Sequence, residues 1–141
     1  MGSGASIAMG KAMNDAKLDF TDVDYINAHG TSTPLNDKFE TIAIKRAFGD
    51  HAKKLKISST KSMTGHSQGA AGALEAIYCI LMLENDFICP SINIQTLDPA
   101  LGVDEIATKL INNAGLDSVM TNSFGFGGTN GSMILSKYHG Y

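Results

Sequence analysis

No stretch of this sequence is apolar for long enough to cross a bilayer. Its least polar run, residues 69–83, is fifteen residues long and contains Glu75, where a spanning helix needs about 20. Positive charge is also scarce. Eleven Lys and Arg stand against fourteen Asp and Glu, a net charge of -3. The densest basic run is Lys53-Lys54-Leu55-Lys56, too little for the clustered cations that hold a nucleic-acid backbone. Cys79 and Cys89 lack CxxC or Cys/His spacing, so they are expected to be small core hydrophobes rather than metal ligands or a redox pair. The N-terminus has no basic start leading into an apolar run, which argues against a secretory leader and for a cytoplasmic location. With 43% hydrophobic and 18% charged residues over 141 positions, enough apolar side chain remains for one globular domain, 1–141.

Apolar residues at Ala5, Ala8, Met9, Ala12, Met13 and Ala16 recur at helical spacing and predict a helix over 5–16. Residues 22–28 read as a short strand, followed by a polar loop at 29–37 and a second helix carrying Phe39, Ile42, Ala43 and Ala47, which Gly49 ends. A second strand over 55–59 leads into a loop over 60–66. A third helix, 67–84, is apolar nearly all round and is expected to be buried on several sides. Residues 87–104 read as irregular or edge-like. Two β-rich runs, 119–123 and 132–138, flank the glycine-dense turn 124–131 and predict a closing hairpin. Repeated strand–loop–helix units before a hairpin indicate an α/β fold, a mixed sheet with helices packed on it. Because the first helix has no strand before it, the sheet is expected to lack an opening member.

Both strand-to-helix loops contain a histidine, His29 in the first and His66 in the second. Ligand sites of open α/β sheets gather at the carboxyl ends of the strands, and paired imidazoles there suit proton transfer or oxyanion stabilisation. Glu75, on the apolar helix, requires a partner, and Lys61 is the natural one. Either a structural salt bridge or a role in orienting the histidines fits that pair. The run Gly65-His66-Ser67-Gln68-Gly69 matches the G-x-S-x-G pattern of a nucleophile elbow, which would make Ser67 the nucleophile of a serine hydrolase, with Asp117 and His139 completing a triad. The turn at 124–131 lacks the GxxxxGK[ST] pattern of a phosphate cradle, although its N–H groups suit an oxyanion.

Three ordered motifs together resemble the C-terminal part of a β-ketoacyl-acyl carrier protein synthase, a condensing enzyme of the thiolase fold, closer to type I than type II. They are Asn27-Ala28-His29-Gly30-Thr31-Ser32-Thr33-Pro34, Ser59-Thr60-Lys61-Ser62-Met63-Thr64-Gly65-His66 followed by Gly69-Ala70-Ala71-Gly72, and Asn122-Ser123-Phe124-Gly125-Phe126-Gly127-Gly128-Thr129-Asn130. The resemblance implies decarboxylative condensation of malonyl-acyl carrier protein with an acyl thioester in fatty acid biosynthesis. His29 and His66 would be the catalytic pair, and Lys61 and Glu75 would support them. Thr31 and Thr33 would contact a phosphopantetheine arm. Phe126 would gate the site, with Phe124 and Gly127 lining it. No cofactor would be bound, because the substrates ride on the phosphopantetheine of acyl carrier protein. The implied partners are that carrier and a second copy in a homodimer.

The family's nucleophilic cysteine belongs to its N-terminal half, and neither Cys79 nor Cys89 lies in the motif expected of it. The chain therefore reads as a thiolase-like C-terminal half truncated at its N-terminus and inactive alone. A non-catalytic module that pairs with a cysteine-bearing chain stands as a further alternative.

Overall fold

The structure is a computed structural model that describes residues 2–99 and 105–140. Its centre is a four-stranded mixed sheet in the order β2-β1-β5-β6, formed by β1 (Tyr25–Asn27), β2 (Lys56–Ser58), β5 (Ser118–Phe124) and β6 (Asn130–Ser136). β1 runs parallel to both β2 and β5, while β5 and β6 pair antiparallel as the expected hairpin. A parallel bridge from Ile57 to Ile106 extends the sheet past β2. β1 lies inside the sheet with a partner on each side.

Helices cover both faces. α1 (Ser3–Ala16) and α2 (Pro34–Phe48) share one layer, where Ala5, Met9 and Met13 meet Ala43, Ile44, Phe48, Ile26 and Met120. α4 (Ala71–Asn85) lies on the other face, bringing Cys79, Met82 and Leu83 against Tyr25 and Val119. With helices on both sides, β1 is buried at all three of its positions, so no alternation could mark it in the sequence.

Several boundaries differ from expectation for local reasons. The first strand is shorter than 22–28 because residues 20–22 close a 3-10 turn, in which the Asp19 N–H donates to Asp22 Oδ2 at 2.8 Å. α2 starts at Pro34, well before Phe39, since a proline's fixed φ and missing N–H suit the first helical position. The second loop contains a one-turn helix, α3 (Lys61–Thr64). The third helix begins at Ala71, after a 3-10 turn at Gln68–Ala70; Gly65 and Gly69 lower helix propensity there. α4 is buried on one side only, with Ile77, Ile80 and Leu81 exposed, because the single sheet offers it one face. In the stretch expected to be irregular, β3 (Phe87–Ile88) pairs with β4 (Ile111–Asn112); residues 100–104 of that stretch lie outside the described residues.

Candidate functional site

Parallel pairing of β1 with β2 and β5 brings the loops after all three strands to one end of the sheet. His29 follows β1 and is buried, whereas His66, beyond α3, is exposed. Their ring centroids are 5.4 Å apart at an interplanar angle of 87°. The Phe124 ring, at the end of β5, lies 6.2 Å from His29. The two histidines singled out from separate loops are thus neighbours.

Their electrostatic states differ. Burial, reinforced by the Lys61 and His66 charges, lowers the His29 pKa to about 4, so its ring is neutral at physiological pH. His29 Nδ1 is buried without a hydrogen-bond partner among the described residues. His66 Nδ1 accepts the Gln68 N–H at 3.0 Å. In neutral His66 this assigns the proton to Nε2, leaving that N–H free to donate.

Lys61 Nζ and Glu75 form a buried ion pair, with side chains only 4% and 3% exposed. Desolvation raises the Glu75 carboxyl pKa while Lys61 opposes the rise. Its other oxygen, Oε2, has no hydrogen-bond partner among the described residues. The pairing expected from the sequence is therefore present, and it contributes charge to the environment of His29.

Thr31 and Thr33 face one another at 3.0 Å between hydroxyl oxygens, in the loop that leaves His29. Phe126 is fully exposed at the tip of the β5–β6 turn. Gly127 and Gly128 follow with φ of 74° and 84°, a region closed to most side chains. Glu40, not among the residues singled out from the sequence, also joins the loop that leaves His29. Its Oε1 accepts the His29 N–H at 2.8 Å and its Oε2 the Gly30 N–H at 2.9 Å. A carboxylate on the buried stripe Glu40, Ala43, Ile44, Phe48 was the available signal, since such a group requires a partner.

The hydrolase arrangement does not form. Asp117 precedes β5 and His139 follows β6, so their 2.6 Å contact lies at the sheet end opposite His29 and His66. Both residues are exposed. Ser67 also lacks the strand-to-helix elbow, since β2 ends at Ser58 and a 3-10 turn follows the serine. Cys79 and Cys89 are free, and Cys79 is buried in the core as expected, whereas Cys89 is half-buried at its edge. Burial pushes the Cys79 thiol pKa up to about 12 and raises that of Cys89. No group of three His, Cys, Asp or Glu able to hold a metal occurs among the described residues. A hollow of about 390 Å³ between α1 and β6, lined by Lys11, Asp15, Asn130 and Ser132 among others, contains none of the groups at the histidine end. That end is open instead, with His66 on its surface.

Residues 1–95 match the family described as Beta-ketoacyl synthase, C-terminal domain. The chain is 60% identical over 139 residues to 3-oxoacyl-[acyl-carrier-protein] synthase 1 of Haemophilus influenzae, covering 99% of this chain and 33% of that protein. It is 51% identical over 136 residues to the Escherichia coli K12 protein of the same name, covering 96% and 32%. Among solved structures, a β-ketoacyl synthase from Burkholderia phymatum superposes with a TM-score of 0.86 at 41% identity, over 95% of this chain and 32% of that one. A ketosynthase in complex with a type II PKS acyl-carrier protein superposes with a TM-score of 0.91 at 34% identity, over 98% and 34%. The chain spans about a third of the length of these proteins.

Proposed function

The chain belongs to the β-ketoacyl synthase family, whose C-terminal domain it carries, and on that premise we propose that it supplies the decarboxylating machinery of a 3-oxoacyl-[acyl-carrier-protein] synthase. The observation that carries the proposal is the histidine pair, two rings 5.4 Å apart at the carboxyl ends of adjacent parallel strands.

In the proposed reaction a cysteine in the remainder of the enzyme first takes the acyl group from its carrier thioester. Malonyl thioester then loses carbon dioxide, and the electron pair of the broken C–C bond moves onto the thioester as an enolate. His29 and His66 donate N–H groups to the developing oxyanion. A neutral His29 suits this work, because its pKa of about 4 keeps it a donor that stabilises charge without itself being a cation. Preorganised donors of this kind contribute roughly 10²–10³ in rate. The carbanion attacks the acyl-cysteine carbonyl, the thiolate leaves, and 3-oxoacyl-carrier protein forms.

Lys61 and Glu75 support the pair, their buried ion pair holding fixed charge next to the rings. Thr31 and Thr33 hold the phosphopantetheine arm. Phe126 acts as a gate, with Phe124 and Gly127 at the mouth, a reading supported by its exposure at the tip of the turn in this chain. Acyl carrier protein is the proposed partner, no cofactor is bound, and residues 1–141 form one domain of a cytoplasmic homodimer. No helix among the described residues is long and apolar enough to cross a membrane.

The test is a hybrid enzyme in which this chain replaces the matching third of the H. influenzae relative. The expected result is 3-oxoacyl product from acyl- and malonyl-carrier protein. A folded hybrid that acylates its cysteine but never condenses would refute the proposal.

A further inference from the structure

His29 is followed by a residue held at both of its backbone polar groups. The Gly30 N–H donates to Glu40 Oε2 at 2.9 Å, and the Gly30 carbonyl accepts from Ser59 Oγ at 2.9 Å. Glu40 Oε1 takes the His29 N–H as well, and Asn36 Nδ2 donates to Oε2 at 3.2 Å. Both carboxylate oxygens are thus committed as acceptors, on a side chain that is itself buried. Ser59 belongs to the other loop. Its carbonyl accepts from the Ser62 N–H and hydroxyl at the start of α3, and its own N–H donates to Ser91 Oγ at 2.9 Å. The loops meet so closely that a Cβ at Gly30 would fall 2.5 Å from Ser59 Cβ, at a φ of +44°.

We infer that Glu40 and Ser59 are positioning residues for the histidine pair, Glu40 fixing the His29–Gly30 backbone and Ser59 tying it to the loop that carries His66. His29 itself has little else to fix it: its Nδ1 is without a partner among the described residues, so the ring's placement depends on its backbone and packing. The inference rests on the condensing reading of the pair. Two donors must reach one oxygen, and a displacement of about 1 Å between them costs on the order of a hundredfold in rate.

Two variants test it. Glu40→Gln replaces one acceptor oxygen by an NH2 group that faces a backbone donor, and Ser59→Ala removes one hydroxyl. In the hybrid enzyme each should slow release of carbon dioxide from malonyl-carrier protein about 10- to 100-fold while changing acyl transfer to the cysteine by less than twofold. A role confined to stability would lower both partial reactions together, and that outcome, or decarboxylation within twofold of the parent, overturns the inference. Amide hydrogen exchange on this chain gives an answer independent of catalysis. Glu40→Gln should speed exchange at His29 and Gly30 about tenfold or more and leave Ile26 in β1 unchanged; unaltered exchange overturns the inference. Ser59→Ala carries the test if Glu40→Gln does not fold. A parent hybrid without decarboxylation refutes the proposed function, while the exchange result still decides the clamp.

Discussion

Replacing Lys61 by Met should be among the most damaging single changes outside the apolar core. The ammonium and the Glu75 carboxylate are both almost fully buried, and Glu75 Oε2 already has no hydrogen-bond partner among the described residues. Removing Lys61 leaves an uncompensated buried carboxylate, a defect that typically costs about 3–5 kcal/mol. At about 3–5 °C per kcal/mol for a chain of this length, the melting temperature should fall by roughly 10–20 °C. Lys61→Met with Glu75→Leu removes both charges and should recover most of the loss, since a buried pair and its apolar replacement are often close in stability. The loss should also depend on pH. Burial holds the Glu75 pKa above its ordinary value against the opposition of Lys61, and without Lys61 it rises further. A carboxyl with a raised folded pKa binds its proton more tightly folded than unfolded. The variant's stability therefore falls as pH rises from the unfolded pKa toward the folded one, and acidification through that window restores it. The assay is urea unfolding of chain and variants at matched concentration between pH 5 and pH 8. A Lys61→Met deficit below about 1 kcal/mol at every pH, far under that expected for a stranded charge, would refute the reasoning.

Three other outcomes follow from the same geometry. His29 should titrate near pH 4 by NMR; because its folded pKa is depressed, its contribution to stability is complete above about pH 6.5 and is lost as pH falls toward 4, and a midpoint near 6.5 would contradict its burial. Cys79, with its thiol pushed up to about 12, should be alkylated by iodoacetamide at pH 8 at least about a hundredfold more slowly in the folded chain than in urea; equal rates would contradict its burial in the core. Phe126→Ala should leave the melting temperature of this chain within about 1 °C, since its ring is exposed here, and in the hybrid should change the order in which acyl and malonyl groups are admitted; a hybrid with both partial reactions unaltered would defeat the gate.

The parts of this site legible in the sequence were those with a local signature. His29 and His66 each follow a run of strand character, and parallel pairing of β1 and β2 then places both loops at one end. The Lys61–Glu75 pair was legible because a charge within the apolar run of α4 needs a partner. For Glu40 only the need for a partner was legible and not the partner itself, because the backbone N–H groups of His29 and Gly30 are of a kind that every residue but proline carries and leave no mark in composition. The place of β1 in the sheet was not legible either, since the order that sets it between two partners is information that belongs to long-range pairing and not to local periodicity. The all-round apolar α4 is exposed at Ile77, Ile80 and Leu81, because periodicity reports what a helix is able to bury and not what is present to cover it.

The central claim is that His29 and His66 together stabilise the oxyanion formed when malonyl thioester loses carbon dioxide. The most direct measurement is the rate of carbon dioxide release from malonyl-carrier protein by the hybrid enzyme, with the parent sequence, His29→Ala and His66→Ala side by side and cysteine acylation followed in the same samples. Each substitution should cut release by about a hundredfold or more and leave acylation within a few-fold of the parent. Release at the parent rate in either variant would remove that histidine from the mechanism, and release at the parent rate in both would contradict the account.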